Sequence, residues 1–100
     1  MPKGKFDELI HAPNRLKICA LLAAVKESEF RVIREELDVS DSVLSKQIKL
    51  LEEANYVQSR KVNVITGKVT WLSLTKTGRK AFSEHINELQ RITELSKNPL

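Results

Sequence analysis

Ser42, Val43, Ser45, Lys46, Gln47 and Lys49 lie within one short stretch of the chain and could share one chemistry, the reading of nucleic-acid base edges, although the same residue types also make an ordinary solvated helix face. A lysine ammonium can donate to guanine O6 or N7, and a glutamine carboxamide can pair with adenine through two atoms. A serine hydroxyl can meet a base edge or a phosphate, and a valine methyl can lie against a thymine methyl. Catalytic chemistry has no comparable foothold. The sequence carries no phosphate loop, no nucleophile elbow and no paired carboxylates placed for acid–base work, so an enzyme is not expected. His11, His85 and Cys19 show no metal-ligand spacing, and the sole cysteine excludes both an intramolecular disulfide and a multi-cysteine zinc site. Neither a metal nor a cofactor is expected. Cys19 falls in the most apolar segment and reads as core rather than as a redox sensor, and Trp71 reads as core packing.

The base-reading set needs a helix to present it, and the sequence supplies one over about Asp41 to Ala54. Leu44, Ile48 and Leu51 recur at i, i+4 and i+7 and form a narrow apolar stripe. At about 100° per residue, Ser42, Lys46 and Lys49 point away from that stripe, with Val43, Ser45 and Gln47 on its flanks. Ser40 is a favoured N-cap and can also anchor a phosphate at the helix N-terminus; Asp41 suits the positive end of the dipole. Glu52 and Glu53 sit at the far end, away from phosphates. Asn55 suits a left-handed exit.

An earlier helix is expected over Glu29 to Leu37, with Phe30, Ile33 and Leu37 inward and Ser28 either capping it or in a short strand. The chain then turns through Asp38, Val39 and Ser40. Upstream, Pro13 opens a buried helix reaching about Val25, after a short helix from Phe6 to Ile10. Downstream the period changes. Tyr56 to Val62 and Val69 to Leu74 are strand-like, and Thr66-Gly67 marks the turn of a hairpin. Thr75 caps a long amphipathic helix from Arg79 to about Ser96, entered through Lys76, Thr77 and Gly78. Lys97 to Leu100 reads as a frayed end.

The 100 residues suffice for one domain, residues 1–100, and the net charge is +4. That charge is unevenly spread. No acid occurs between Glu53 and Glu84, a stretch holding Arg60, Lys61, Lys68, Lys76, Arg79 and Lys80, whereas Glu27 to Glu53 is rich in acids. Arg60, Lys61 and Lys68 would arm the hairpin for a phosphate backbone or minor groove, although lysines also blunt exposed strand edges. The start of the chain, Met1 to Lys5, is basic without an apolar stretch behind it, so no signal peptide is read. The apolar run from Ile18 to Val25 is too short for a membrane. A cytoplasmic protein without membrane partners is expected.

The run Leu37-Asp38-Val39-Ser40, then Leu44-Ser45, Ile48, Leu51-Glu52 and Tyr56-Val57, resembles the helix-turn-helix of winged-helix transcription regulators related to the MarR and ArsR groups. Leu72-Ser73-Leu74-Thr75 followed by Gly78-Arg79 resembles their junction after the wing, and Pro13-Asn14-Arg15-Leu16-Lys17-Ile18 their opening. The chain departs from the pattern at Asp38 and Asn55, where glycine is usual; both types tolerate the left-handed backbone. The resemblance covers about Phe6 to Leu95.

It implies a mainly α fold with a small β-hairpin wing (α+β), a winged helix-turn-helix with a long C-terminal dimerisation helix. It also implies a sequence-specific DNA-binding regulator acting as a homodimer, with the helix at about 41–54 in the major groove and the wing at about 60–70 on the backbone or minor groove. The dimer elements would be an N-terminal helix within 1–12 and a C-terminal helix at 79–97, meeting through Phe6, Leu9, Ile10, Phe82, Ile86, Leu89 and Ile92. The long last helix would otherwise leave its apolar face bare or fold back on its own core. Two-fold symmetry implies a palindromic double-stranded operator. A small-molecule effector, which no residue identifies, would sit between the first and last helices. The alternative is a winged-helix protein–protein interaction module within a larger assembly.

Overall fold

A computed structural model describes residues 5–98; residues 1–4 and 99–100, and with them the ends of the expected N-terminal element and of the expected frayed tail, lie outside the described residues. Asp7 caps α1 (Glu8–His11), its Oδ1 accepting from Ile10 N at 3.0 Å. The helix is shorter than expected and excludes Phe6. Ala12 is extended, the conformation that a following proline imposes, and Pro13 opens α2 (Pro13–Ala23).

The α2 helix stops two residues before the expected Val25. Its end is closed from far along the chain: Arg79 donates to Ala23 O at 3.3 Å and to Val25 O at 2.9 Å. A guanidinium here satisfies carbonyls that the helix leaves unpaired and sits at the negative end of its dipole.

Ser28–Glu29 forms a short strand, β1, and α3 (Phe30–Leu37) begins after it. Of the two roles open to Ser28, the strand is the one found, and Glu29 leaves the helix because it pairs with Trp71 of the later hairpin. Asp38 (φ 53°) and Asn55 (φ 61°) both adopt the left-handed conformation. Each closes a helix by the same pattern: Asp38 N bonds Glu35 O and Val39 N bonds Arg34 O, while Asn55 N bonds Glu52 O and Tyr56 N bonds Leu51 O. The two positions where that pattern usually has glycine are thus the two non-glycine residues with φ above zero among the described residues. Between them lies α4 (Asp41–Glu53), capped by Ser40, whose Oγ accepts from Val43 N at 3.2 Å.

The hairpin comprises β2 (Val57–Val64) and β3 (Gly67–Leu74), two residues longer at the tip on each side than the sequence suggested. The antiparallel sheet has the order β1-β3-β2. Period-two alternation sends Leu72 and Leu74 into the core, which places Trp71 on the opposite face. Trp71 is therefore not in the core, and lies under the Arg60 guanidinium at 5.8 Å.

The last helix, α5 (Lys76–Lys97), starts three residues before Arg79 because Thr75 caps Gly78 N at 2.9 Å and makes residues 76–78 its first turn. Thr75 also donates to Asn55 O at 2.6 Å. Gly78 packs so closely on Tyr56 that an added Cβ would overlap the Tyr56 carbonyl. The threonine, glycine and arginine of this junction therefore have separate tasks: starting α5, admitting the β2 entry, and closing α2.

One core joins these elements. Ile10, Ile18, Cys19, Leu22, Ile33, Leu44, Ile48, Leu51, Val57, Leu72 and Leu74 are buried together. Each large apolar side chain fully buried contributes about 1.5–3 kcal/mol of transfer free energy. Cys19 sits inside this cluster with its thiol pushed up to about 12, first by burial and then by Asp7, which leaves it unreactive.

Candidate nucleic-acid interface

The apolar stripe of α4 fixes what its other face can offer. With Leu44, Ile48 and Leu51 buried, Ser42, Val43, Ser45, Lys46 and Lys49 are exposed. Lys46 and Lys49 enter none of the ion pairs among the described residues. Arg34 on α3 bridges to Asp41 at 2.9 Å, which joins the two helices of the helix-turn-helix and neutralises the acid at the start of α4.

Three of the residues expected to meet DNA are engaged within the chain, Ser40, Ser42 and Gln47. The Ser40 hydroxyl starts α4 and lies 3.3 Å from Ser42 Oγ. Gln47 is half-buried, and its Oε1 accepts from Arg15 Nη1 at 2.7 Å, while Arg15 Nε donates to Leu9 O at 2.6 Å. Arginine only donates, so this contact also fixes which end of the carboxamide is oxygen. A reading of adenine through both atoms would have to share or break it. Arg15 was visible in the sequence only as part of the opening motif; nothing local signals a partner 32 residues away.

On the hairpin, the three expected cations divide. Lys61 and Lys68 are exposed and outside every ion pair among the described residues. Arg60 instead makes a forked contact with Glu27, at 2.7 and 3.2 Å, while covering Trp71. This clamp ties the hairpin to the turn after α2. Between α4 and the sheet runs a groove lined by Ser45, Lys61, Asp41 and Glu52 among others. Glu52 accepts from Ser59 Oγ at 3.3 Å, so it faces the hairpin rather than standing clear of the interface.

The terminal helices hold a second polar cluster. Asp7 N–H donates to His85 Nδ1 at 2.9 Å, and His85 Nε2 lies 3.1 Å from His11 Nδ1. A backbone amide is a permanent donor, so neutral His85 carries its proton on Nε2 and gives it to His11 Nδ1. Phe6 packs against both rings, at 4.7 Å from each. Tyr56 donates to Asp7 Oδ2 at 2.6 Å, and this bond is the main reason its phenol is pushed up to about 12. The two histidines, distant in sequence, therefore do meet. No group of three or more histidine, cysteine, aspartate or glutamate side chains among the described residues could hold a metal ion. Of the expected dimer residues, Ile10 is fully buried in the chain's own core, whereas Phe6 and Ile92 are exposed and Leu9, Phe82, Ile86 and Leu89 are half-buried.

A helix-turn-helix backed by a three-stranded sheet, two strands of which form a long hairpin, defines a winged helix. The chain belongs to the winged helix DNA-binding domain family, whose model matches residues 14–93. It is 41% identical to an uncharacterized protein of Methanocaldococcus jannaschii over 92 residues, 91% of this chain and 96% of that one. Its fold is similar to that of a transcriptional regulator homologue from Pyrococcus horikoshii OT3, with TM-score 0.84, 22% identity, and coverage of 92% and 91% of the two chains. It is also similar to the PcaV transcriptional regulator from Streptomyces coelicolor, solved with its natural ligand, with TM-score 0.72, 19% identity, and coverage of 95% and 66%. The winged-helix fold that the resemblance implied is thereby borne out, mainly α with a small antiparallel sheet and a long last helix. No helix among the described residues is long and apolar enough to cross a membrane.

Proposed function

We propose that the protein is a cytoplasmic transcription regulator that binds a palindromic DNA operator as a homodimer. The observation that carries this reading is the exposed face of α4, where Lys46 and Lys49 enter no ion pair among the described residues and stand beside an acid-free hairpin. Lys46, Lys49, Ser42, Ser45 and Val43 meet base edges in the major groove. Gln47 contributes from the flank while braced by Arg15, and Ser40 offers the helix N-terminus to a phosphate. Lys61 and Lys68 neutralise phosphates along the wing, and Arg60 joins them by exchanging Glu27 for a phosphate oxygen.

The dimer forms through the terminal helices. Phe6, Ile92 and Leu95 are each more than two-fifths exposed, and they continue the apolar line of Leu9, Phe82, Ile86 and Leu89. Pairing about a two-fold axis sets two α4 helices about 34 Å apart, one turn of DNA. Binding regulates by occluding a promoter or recruiting to it.

Fluorescence anisotropy against selected and random duplexes, across a salt series, tests this. The expected result is tight binding to an enriched palindrome, two chains per site, with a steep negative dependence on salt. Absence of binding even at low salt would overturn the reading.

A further inference from the structure

The tip of the hairpin breaks the local rules that the rest of the chain obeys. Val64 pairs with Gly67, leaving Ile65 and Thr66 as a two-residue connection, and Gly67 takes the positive φ of 134°. Such connections favour Gly, Asn, Asp or Ser, which supply special backbone angles or local hydrogen bonds. Isoleucine offers neither, and as a β-branched residue it belongs inside strands. Here it is fully exposed, so its side chain packs on nothing among the described residues, and Val64 beside it is 43% exposed. Scattered surface apolar residues need no account, but a wholly uncovered isoleucine at a turn helps neither the turn nor the core. Around it, Asn63 and Lys68 face each other across the strands, both exposed. No acid lies anywhere between Glu53 and Glu84.

An apolar point between an amide and an ammonium, on a thin acid-free ribbon, has the chemistry of a minor-groove reader. We propose that Ile65 enters the minor groove beside each half-site, with Asn63 and Lys68 at its shoulders, and makes the protein prefer A·T pairs there. The proposal rests on the DNA-binding reading above and adds base discrimination by an uncharged residue outside the α4 set. The physical basis is the groove floor. A·T and T·A pairs present only the adenine N3 and thymine O2 acceptors, whereas G·C adds the guanine N2 amino group. Asn63 and Lys68 can donate to the acceptors. A branched apolar side chain pressed on the amino group would strip it of water and return no hydrogen bond.

Inosine separates this from every major-groove explanation, because an I·C pair has the major-groove edge of G·C and lacks the N2 amino group. The full chain is titrated against three duplexes that share one selected palindrome and differ only in the flanking pairs, A·T, G·C or I·C. The expected result is that A·T and I·C flanks bind about tenfold more tightly than G·C flanks. Ile65→Ser should bind all three alike, because no branched apolar side chain then presses on the guanine amino group. It should keep the wild-type salt slope, since no cation is lost, and the wild-type melting temperature, since Ile65 packs on nothing. Equal binding of the three duplexes by the wild type, I·C behaving as G·C, or discrimination surviving in Ile65→Ser would each overturn the proposal while leaving DNA binding intact. Failure of the wild type to select any duplex would instead remove the DNA-binding reading beneath it.

Discussion

Lys46 and Lys49 on α4 make no ion pair within the described residues, whereas Arg79 at the start of α5 has its guanidinium on two carbonyls at the end of α2. Both regions looked alike in the sequence, as basic residues on or at the entry of an amphipathic helix. The α4 face and hairpin tip hold their polar groups out to solvent. At the seam where α1, α2 and α5 meet β2, polar groups are tied to one another: Thr75 to Gly78 and Asn55, Arg79 to α2, Tyr56 to Asp7, and Asp7 to His85. The difference teaches that positive charge alone does not mark a DNA-facing surface. A cation without a protein partner is available to a phosphate or base, and one that closes a helix is already committed to the fold.

The sharpest way to break this comparison is Gly78→Ala. Its Cβ would overlap backbone at Tyr56, which cannot swing aside as a side-chain tip can. We expect a loss of about 3 kcal/mol in folding stability, measured by urea denaturation. A wild-type midpoint in the variant would mean that the seam is looser than its packing indicates. Lys46→Ala should behave oppositely, with stability within about 0.5 kcal/mol of wild type and specific DNA binding weaker by about 1–3 kcal/mol. An unchanged preference for the selected site would take Lys46 out of the reading set.

Arg79→Ala and Lys68→Ala set the two kinds of cation side by side. Removing Arg79 should lower stability by about 1 kcal/mol through the lost helix closure, and leave the salt slope of DNA binding unaltered. Removing Lys68 should leave stability alone and reduce the slope by about one. If the two variants exchanged these signatures, the division between committed and available cations would be wrong.

The helix-turn-helix was legible because its signals are local. Ser40, Asp38 and Asn55 act on backbone groups within a few residues, and the Leu44, Ile48 and Leu51 stripe orients the rest of α4. The junction motif from Leu72 to Arg79 was legible as a pattern but not as a mechanism, because Arg79 acts on carbonyls more than fifty residues upstream. Separations of 32 and 33 residues likewise hid the Arg15 brace on Gln47 and the Glu27 clamp on Arg60. Trp71 was placed in the core on its residue type, although the alternation with Leu72 and Leu74 already sends it to the other face. The meeting of His11 and His85 needed the fold itself, since α1 and α5 come from opposite ends of the chain.

That meeting carries the last and smallest test of the seam, its response to pH. Burial first, and then the neighbouring His11 ring, hold His85 below its ordinary value of 6.5, with Asp7 opposing. Its contacts come from Asp7, through a backbone amide, from His11 and from the Phe6 ring, and the Tyr56 phenol reaches it only through Asp7. Both His85 nitrogens are in use: Nδ1 accepts from the amide, and Nε2 donates to His11. An added proton on His85 therefore breaks the bond to Asp7, whereas in the unfolded chain it breaks nothing. The unfolded chain binds more protons in that range, so stability rises with pH. The contribution is complete above about pH 6.5 and is lost as pH falls through the lower folded value. Melting temperature should accordingly drop between about pH 7 and about pH 5. His85→Asn, which keeps an acceptor for the Asp7 amide without a titrating ring, should flatten that drop. An equal fall in both proteins would place the acid sensitivity elsewhere, outside the seam.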